Sequence, residues 1–108
     1  MSPLVVVIDT IRSLAYTGIS GTYATVGSVF SFPVKLICFT NNTDGDMFFS
    51  SNGTANQLFV AAGSFKLFDF TTNRNSLQPV WALPKGTQIY VKQSTAPTKG
   101  AVYVECLG

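Results

Sequence analysis

The residues able to do acid–base or metal chemistry are few: five carboxylates, two thiols and no histidine among 108 residues. Without histidine the commonest general base, every His-dependent triad and most zinc sites are gone. Cys38 and Cys106 are too far apart in sequence to hold a structural zinc without further ligands. Of the acids Asp9, Asp44, Asp46, Asp69 and Glu105, only Asp44 and Asp46 are neighbours. Preceded by Asn41, Asn42 and Thr43, they offer oxygens that a hard cation such as Ca²⁺ could use, but the EF-hand spacing and its closing Glu are absent. Asx chemistry at a tight turn accounts for the same residues with no metal and is the favoured reading. A glycosidase pair is disfavoured, because adjacent turn acids would not flank a sugar ring. No nucleophile elbow, phosphate-cradling loop or dinucleotide fingerprint is present. The expectation is a protein that is not an enzyme and uses no cofactor and no metal.

The elements that must carry these residues read as strands. From 34 to 70 the apolar runs alternate with Asp44-Gly45, Asn52-Gly53 and Ala62-Gly63, and Gly takes positive φ at no steric cost. The pattern predicts an antiparallel meander over about 34–40, 46–50, 57–61 and 65–71. Apolar residues on both alternating sets of 34–39 and 65–70 predict burial on both faces, the outer cover being a second packed layer or another subunit. Upstream, 12–16 reads as a short strand, and 22–26 with 28–32 as one strand bent at Gly27. Downstream, 79–84 reads as an edge strand or buried loop, and 87–92 and 101–106 as strands. No segment sustains a helical period. The expected fold is all-β, a single-domain antiparallel sandwich with an extended N-terminal segment. Jelly-roll topology is favoured over an immunoglobulin plan because Trp81 lies far beyond the strand after Cys38. Residues 1–25 form an arm with the first strand or strands, and 26–108 the sandwich core. Trp81 and the other aromatics are read as core packing in preference to platforms for sugars or bases.

The arm contains Leu4, Val5, Val6, Val7 and Ile8. An apolar, mostly β-branched run suits a strand buried on both faces, either within the domain or added to a neighbouring subunit. These five residues are the candidate partner contact. They are too short for a signal h-region and no basic residue precedes them, so the chain is expected to stay in a reducing cytoplasm. Both cysteines fall inside apolar runs and read as buried small hydrophobes, with a disulfide formed after release as the alternative.

Charged residues make up only 11% of the chain against 46% hydrophobic. The surface is then either Ser, Thr, Asn and Gly, or partly apolar and covered by a partner; the second is favoured and makes the protein an assembly component. The seven basic residues, Arg12, Lys35, Lys66, Arg74, Lys85, Lys92 and Lys99, are never adjacent and read as solvated face positions. A nucleic-acid partner is disfavoured for want of a basic cluster. No stretch is long enough to span a membrane as a helix.

Four segments carry a family resemblance: NNTDGDMFFSSNG (41–53), DFTTN (69–73), GTQIYVK (86–92) and APTKGAVY (96–103). Over about 26–106 the chain resembles small virion structural proteins of tailed bacteriophages, most like jelly-roll capsid cement (decoration) proteins. The resemblance implies a homo-oligomer on the capsid surface of a virion assembled in the host cytoplasm. Its partners would be the major capsid protein and copies of itself. Other roles left open are a neck, tail-adaptor or fibre-anchoring subunit, or a carbohydrate- or receptor-binding module.

Overall fold

The structure is a computed structural model, which describes residues 8–70 and 83–108. Among the described residues there are eight strands: β1 (Arg12–Ala15), β2 (Ala24–Thr25), β3 (Leu36–Thr43), β4 (Met47–Ser50), β5 (Leu58–Val60), β6 (Phe65–Asp69), β7 (Tyr90–Gln93) and β8 (Gly100–Leu107). One short 3-10 turn, Tyr16–Gly18, follows β1. Two four-stranded antiparallel sheets result, ordered β1-β8-β3-β6 and β2-β7-β4-β5. The chain is an all-β sandwich.

Its strands pair as a nested series: β1 with β8, β2 with β7, β3 with β6 and β4 with β5. Successive pairs alternate between the sheets, and the β3–β8 and β4–β7 ladders close each sheet. This overturns the expected meander. Asp44-Gly45 and Ala62-Gly63 carry the chain from one sheet to the other, and only β4 and β5 form a hairpin, joined by a seven-residue loop. Local turn residues say where a chain reverses, not whether the next strand returns to the same sheet. Gly27, with φ 68°, does mark a bend: Val26 N–H bonds Ile89 C=O before it, and Phe30 N–H bonds Thr87 C=O beyond it. The expected strand over 28–32 is otherwise irregular. Of the 79–84 segment only Leu83 and Pro84 lie within the described residues, and Leu83 bridges Val34. Trp81 and Arg74 fall outside them.

Inward residues alternate along each strand as the pleat requires. Ile37 and Phe39 on β3 with Val102, Val104 and Cys106 on β8 meet Met47 and Phe49 on β4, Val60 on β5 and Val91 on β7. Phe39 and Phe49 bind the sheets together with ring centroids 5.1 Å apart. The same alternation settles the cysteines. Ile37 is opposite Cys106 and Cys38 is opposite Glu105, so the two thiols sit on opposite faces of one sheet. Both are free, Cys106 buried and Cys38 half-buried on the outer side, and a bridge between them would need a one-residue register slip. At the start of β8, Gly100 has φ 91° and a Cβ there would collide with the Asn42 carbonyl, so only glycine fits.

Candidate interaction surfaces

Three polar clusters and two outer faces hold the residues singled out from the sequence. The first cluster sits under the crossing from β3 to β4. Asn41 is fully buried; its Nδ2 donates to the carbonyls of Gly45 (2.8 Å) and Val60 (2.9 Å). Its Oδ1 accepts from the Thr43 amide (3.1 Å) and the Thr43 hydroxyl (2.6 Å). Its main chain exchanges bonds of 2.9 Å with Ser64 and Gly63. This one residue, by side chain and main chain together, therefore ties β3 to both inter-sheet crossings.

Asp44 and Asp46 turn away from each other. Asp44 accepts from the Thr98 amide (2.7 Å) and the Thr98 hydroxyl, whereas Asp46 accepts from the Ala62 amide (2.9 Å). Each carboxylate clamps a different loop, in agreement with a structural role, but the turn is an inter-sheet crossing and not a hairpin. Gly45 lacks positive φ; it is glycine because a Cβ would strike the Thr95 carbonyl. Asx bonding is found instead at Asn52, whose Oδ1 accepts from the amides of Thr54 (2.9 Å) and Ala55 (3.0 Å).

The third cluster was not legible from sequence. Arg12, expected on a solvated face, is 7% exposed. It pairs with Asp9 (2.7 Å), donates to the carbonyls of Ser28 (2.9 Å) and Val29 (3.3 Å), and lies 4.9 Å from the Phe30 ring centre. Its Nη1 also reaches Cys106 Sγ (3.4 Å). Every buried side-chain nitrogen and oxygen among the described residues has a partner. Burial pushes the Cys106 thiol up, so it stays protonated and poorly nucleophilic.

These bonds make stability depend on acid. The Arg12 guanidinium holds Asp9 below its ordinary value, and the Thr98 hydroxyl with the Thr98 amide does the same for Asp44. A carboxylate depressed in the folded state contributes stability that is present above its unfolded pKa and lost as pH falls through the folded one. The urea midpoint is thus expected to hold from neutral pH down to about 4 and to drop below it. Asp44→Asn should show a smaller drop between pH 7 and pH 3 than the parent; an equal drop would assign the acid sensitivity elsewhere.

Between the sheets, beside Phe70 and Leu83, a cavity of about 220 Å³ is lined by Ile37, Phe39, Leu58, Phe68 and Ile89. The polar side chains at its rim are already engaged: Ser50 with Asn52 (2.8 Å) and Ser51 with Gln57 (2.9 Å). None of the described residues lining it presents a nucleophile beside a base.

The outer faces are different in kind. On the first sheet Phe65 lies opposite Thr40, which has Tyr103 on its other side, and Leu67 lies opposite Cys38, which has Glu105 on its other side. Phe65 is 65% and Leu67 54% exposed. Among the described residues β6 is an edge strand and none of them covers its outer face, so the burial expected on both sides of 65–70 is not supplied by them. On the second sheet Lys92 lies between aromatic rings, 5.0 Å from the centre of Tyr23 and 5.9 Å from that of Phe48. Phe48 packs edge-on to Phe59 at 5.6 Å. Of the candidate arm residues, Ile8 bridges Leu107 beside β8 and is largely exposed, and Leu4, Val5, Val6 and Val7 lie outside the described residues.

Among the described residues no three His, Cys, Asp or Glu side chains group as metal ligands, and no helix is long and apolar enough to cross a membrane. Set against protein-family models, curated proteins and solved structures, the chain matches none.

Proposed function

We propose that this chain is a non-enzymatic structural protein of a virion, a capsid cement (decoration) protein that clamps neighbouring major capsid subunits. The observation that carries the reading is the outer face of the first sheet, where Phe65 and Leu67 stand in water on an edge strand. A lone soluble domain does not keep such an edge uncovered. The nested strand plan supports a jelly roll, the eight-stranded double-sheet form used by capsid proteins and lectins alike. The segments at 41–53, 86–92 and 96–103 that resemble phage virion proteins contribute in this structure to both sheets and to the crossing between them. In this role the major capsid protein and copies of the chain itself are the partners, and the work is done by shape and apolar contact.

The test is copy number against the major capsid protein in purified particles. Occupancy on the order of hundreds supports the shell; about six or twelve copies places the protein on the particle axis, as a neck, tail-adaptor or fibre-anchoring subunit. A carbohydrate-binding role has one feature in its favour, the exposed Phe59 beside Phe48 and Tyr23. Binding of the isolated protein to a glycan array, abolished by Phe59→Ala, would favour that role over the shell.

A further inference from the structure

The two sheets stack in step. Phe39 meets Phe49 across the interior, which sets β3 over β4, and the orders β1-β8-β3-β6 and β2-β7-β4-β5 then set β8 over β7. Their outer faces carry opposite charge. The outward strand positions of the first sheet hold two carboxylates, Glu105 and Asp69, and no base. Those of the second hold one base, Lys92, and no carboxylate. Asp69, at the end of β6, already has a partner. Glu105 is exposed on β8 and has no ion-pair partner among the described residues. Cys38 and then Leu67 lie beside it across the sheet. Lys92 stands in the equivalent lane on β7, with Phe48 and then Phe59 beside it. Its ammonium lies against the rings of Tyr23 and Phe48, and no carboxylate of the described residues is within ion-pair distance. Each face therefore sets one unpaired charge beside a short apolar row, in the same order of lanes and with opposite sign.

We propose that the outer face of the first sheet docks on the outer face of the second sheet of another copy of this chain, with Glu105 set against Lys92. This rests on the reading of the first sheet's outer face as a contact surface, and it names the occupant. Charge selects the pairing. Two first-sheet faces packed together bring Glu105 toward its own copy, and two second-sheet faces do the same with Lys92. Like charges brought together cost affinity, whereas opposite ones fix the register. Geometry agrees. A copy displaced along the normal to the sheets, without rotation, lays its β7 over the neighbour's β8, because the lanes are already in step within one chain. Stacked sheets lie about 10 Å apart, a gap that a lysine and a glutamate side chain meeting end to end can bridge. The exposed Leu67 and Phe59 both come into the contact. The apolar rows supply the area, since an exposed ion pair by itself contributes little. Faces alone are used, and no strand edge. Because the two faces differ, the contact is head-to-tail, and growth continues past the dimer as an open stack or until a ring closes.

Sedimentation of the full chain over a concentration series should show reversible association that passes beyond the dimer. Lys92→Glu and Glu105→Lys each set like charges in the contact and should weaken association by roughly tenfold or more. Glu105→Lys breaks no ion pair among the described residues, and circular dichroism checks that each variant keeps the parent's fold. An equal mixture of the two variants should associate again, because each meets the other with opposite charges. A chain carrying both substitutions should do so by itself. A parent that stays monomeric, or that stops at a closed dimer, would overturn the proposal. Single variants that associate like the parent would also overturn it, as would a double variant as weak as the singles. None of these results bears on copy number in the particle, which decides the virion role separately.

Discussion

Asn41→Ala is expected to lower stability by about 4 kcal/mol, and the melting temperature by about 20 °C, more than any exposed substitution on the same strand. The side chain makes four bonds in a fully buried site. Its loss takes a donor from the Val60 carbonyl and an acceptor from the Thr43 amide, while the Gly45 carbonyl keeps the Thr43 hydroxyl (2.9 Å); each stranded buried group costs about 1–3 kcal/mol. For two such groups the sum is about 2–6 kcal/mol, and water that enters the space left by the amide sets it nearer the middle of that range than its top. In a domain of this size each kcal/mol moves the midpoint by about 4–8 °C. Asn42→Ala, one residue on and exposed, should shift it by no more than about 0.5 kcal/mol. Thermal and urea unfolding of the pair measure the contrast; equal effects would mean that Asn41 does not join the two crossings.

Arg12→Met should cost about 3 kcal/mol, with a fall in the melting temperature of about 15 °C. Methionine keeps the apolar stem against Phe30 but strips the carbonyls of Ser28 and Val29 of their donor and leaves Asp9 without its counter-ion. Asp9 retains some access to water, so the lower end of the usual range for breaking a buried pair applies. A double-mutant cycle with Asp9→Asn separates the ion pair from the carbonyl bonds. If Arg12→Met and Asp9→Asn each cost the same and their combination costs no more than either, the pair alone is responsible. If Arg12→Met costs more than Asp9→Asn, the bonds to Ser28 and Val29 carry the difference.

Both sites show where reading the residues stops short. The strands at 36–43, 47–50, 58–60, 65–69 and 100–107 announce themselves as apolar, aromatic or β-branched runs between turn residues, and Gly27 announces the bend. What hydropathy cannot convey is which sheet a strand joins. Asp44-Gly45 looks like a hairpin turn because the residue types that permit sharp reversal are the same for a hairpin and for a crossing. Asn41 and Arg12 are polar, and polar residues are usually at the surface. Their burial depends on carbonyls brought in from Val60 and Ser28, far along the chain. The positions of Phe65 and Leu67 illustrate the opposite error. An apolar run implies that something covers it, and among the described residues none covers the outer side.

The nesting of the strands also dictates an order of events during synthesis. β8 lies between β1 and β3, so the first sheet has no middle until residues 100–107 leave the ribosome. Before that moment β1 has no strand to lie against, and β3 has only β6. The β4–β5 hairpin closes over a short loop and can form early, while the outermost ladder joins Arg12 to Val104 across nearly the whole chain. Folding of this kind is slow, and a nascent chain stalled short of Gly100 holds exposed sheet-forming segments that only its last strand can quiet.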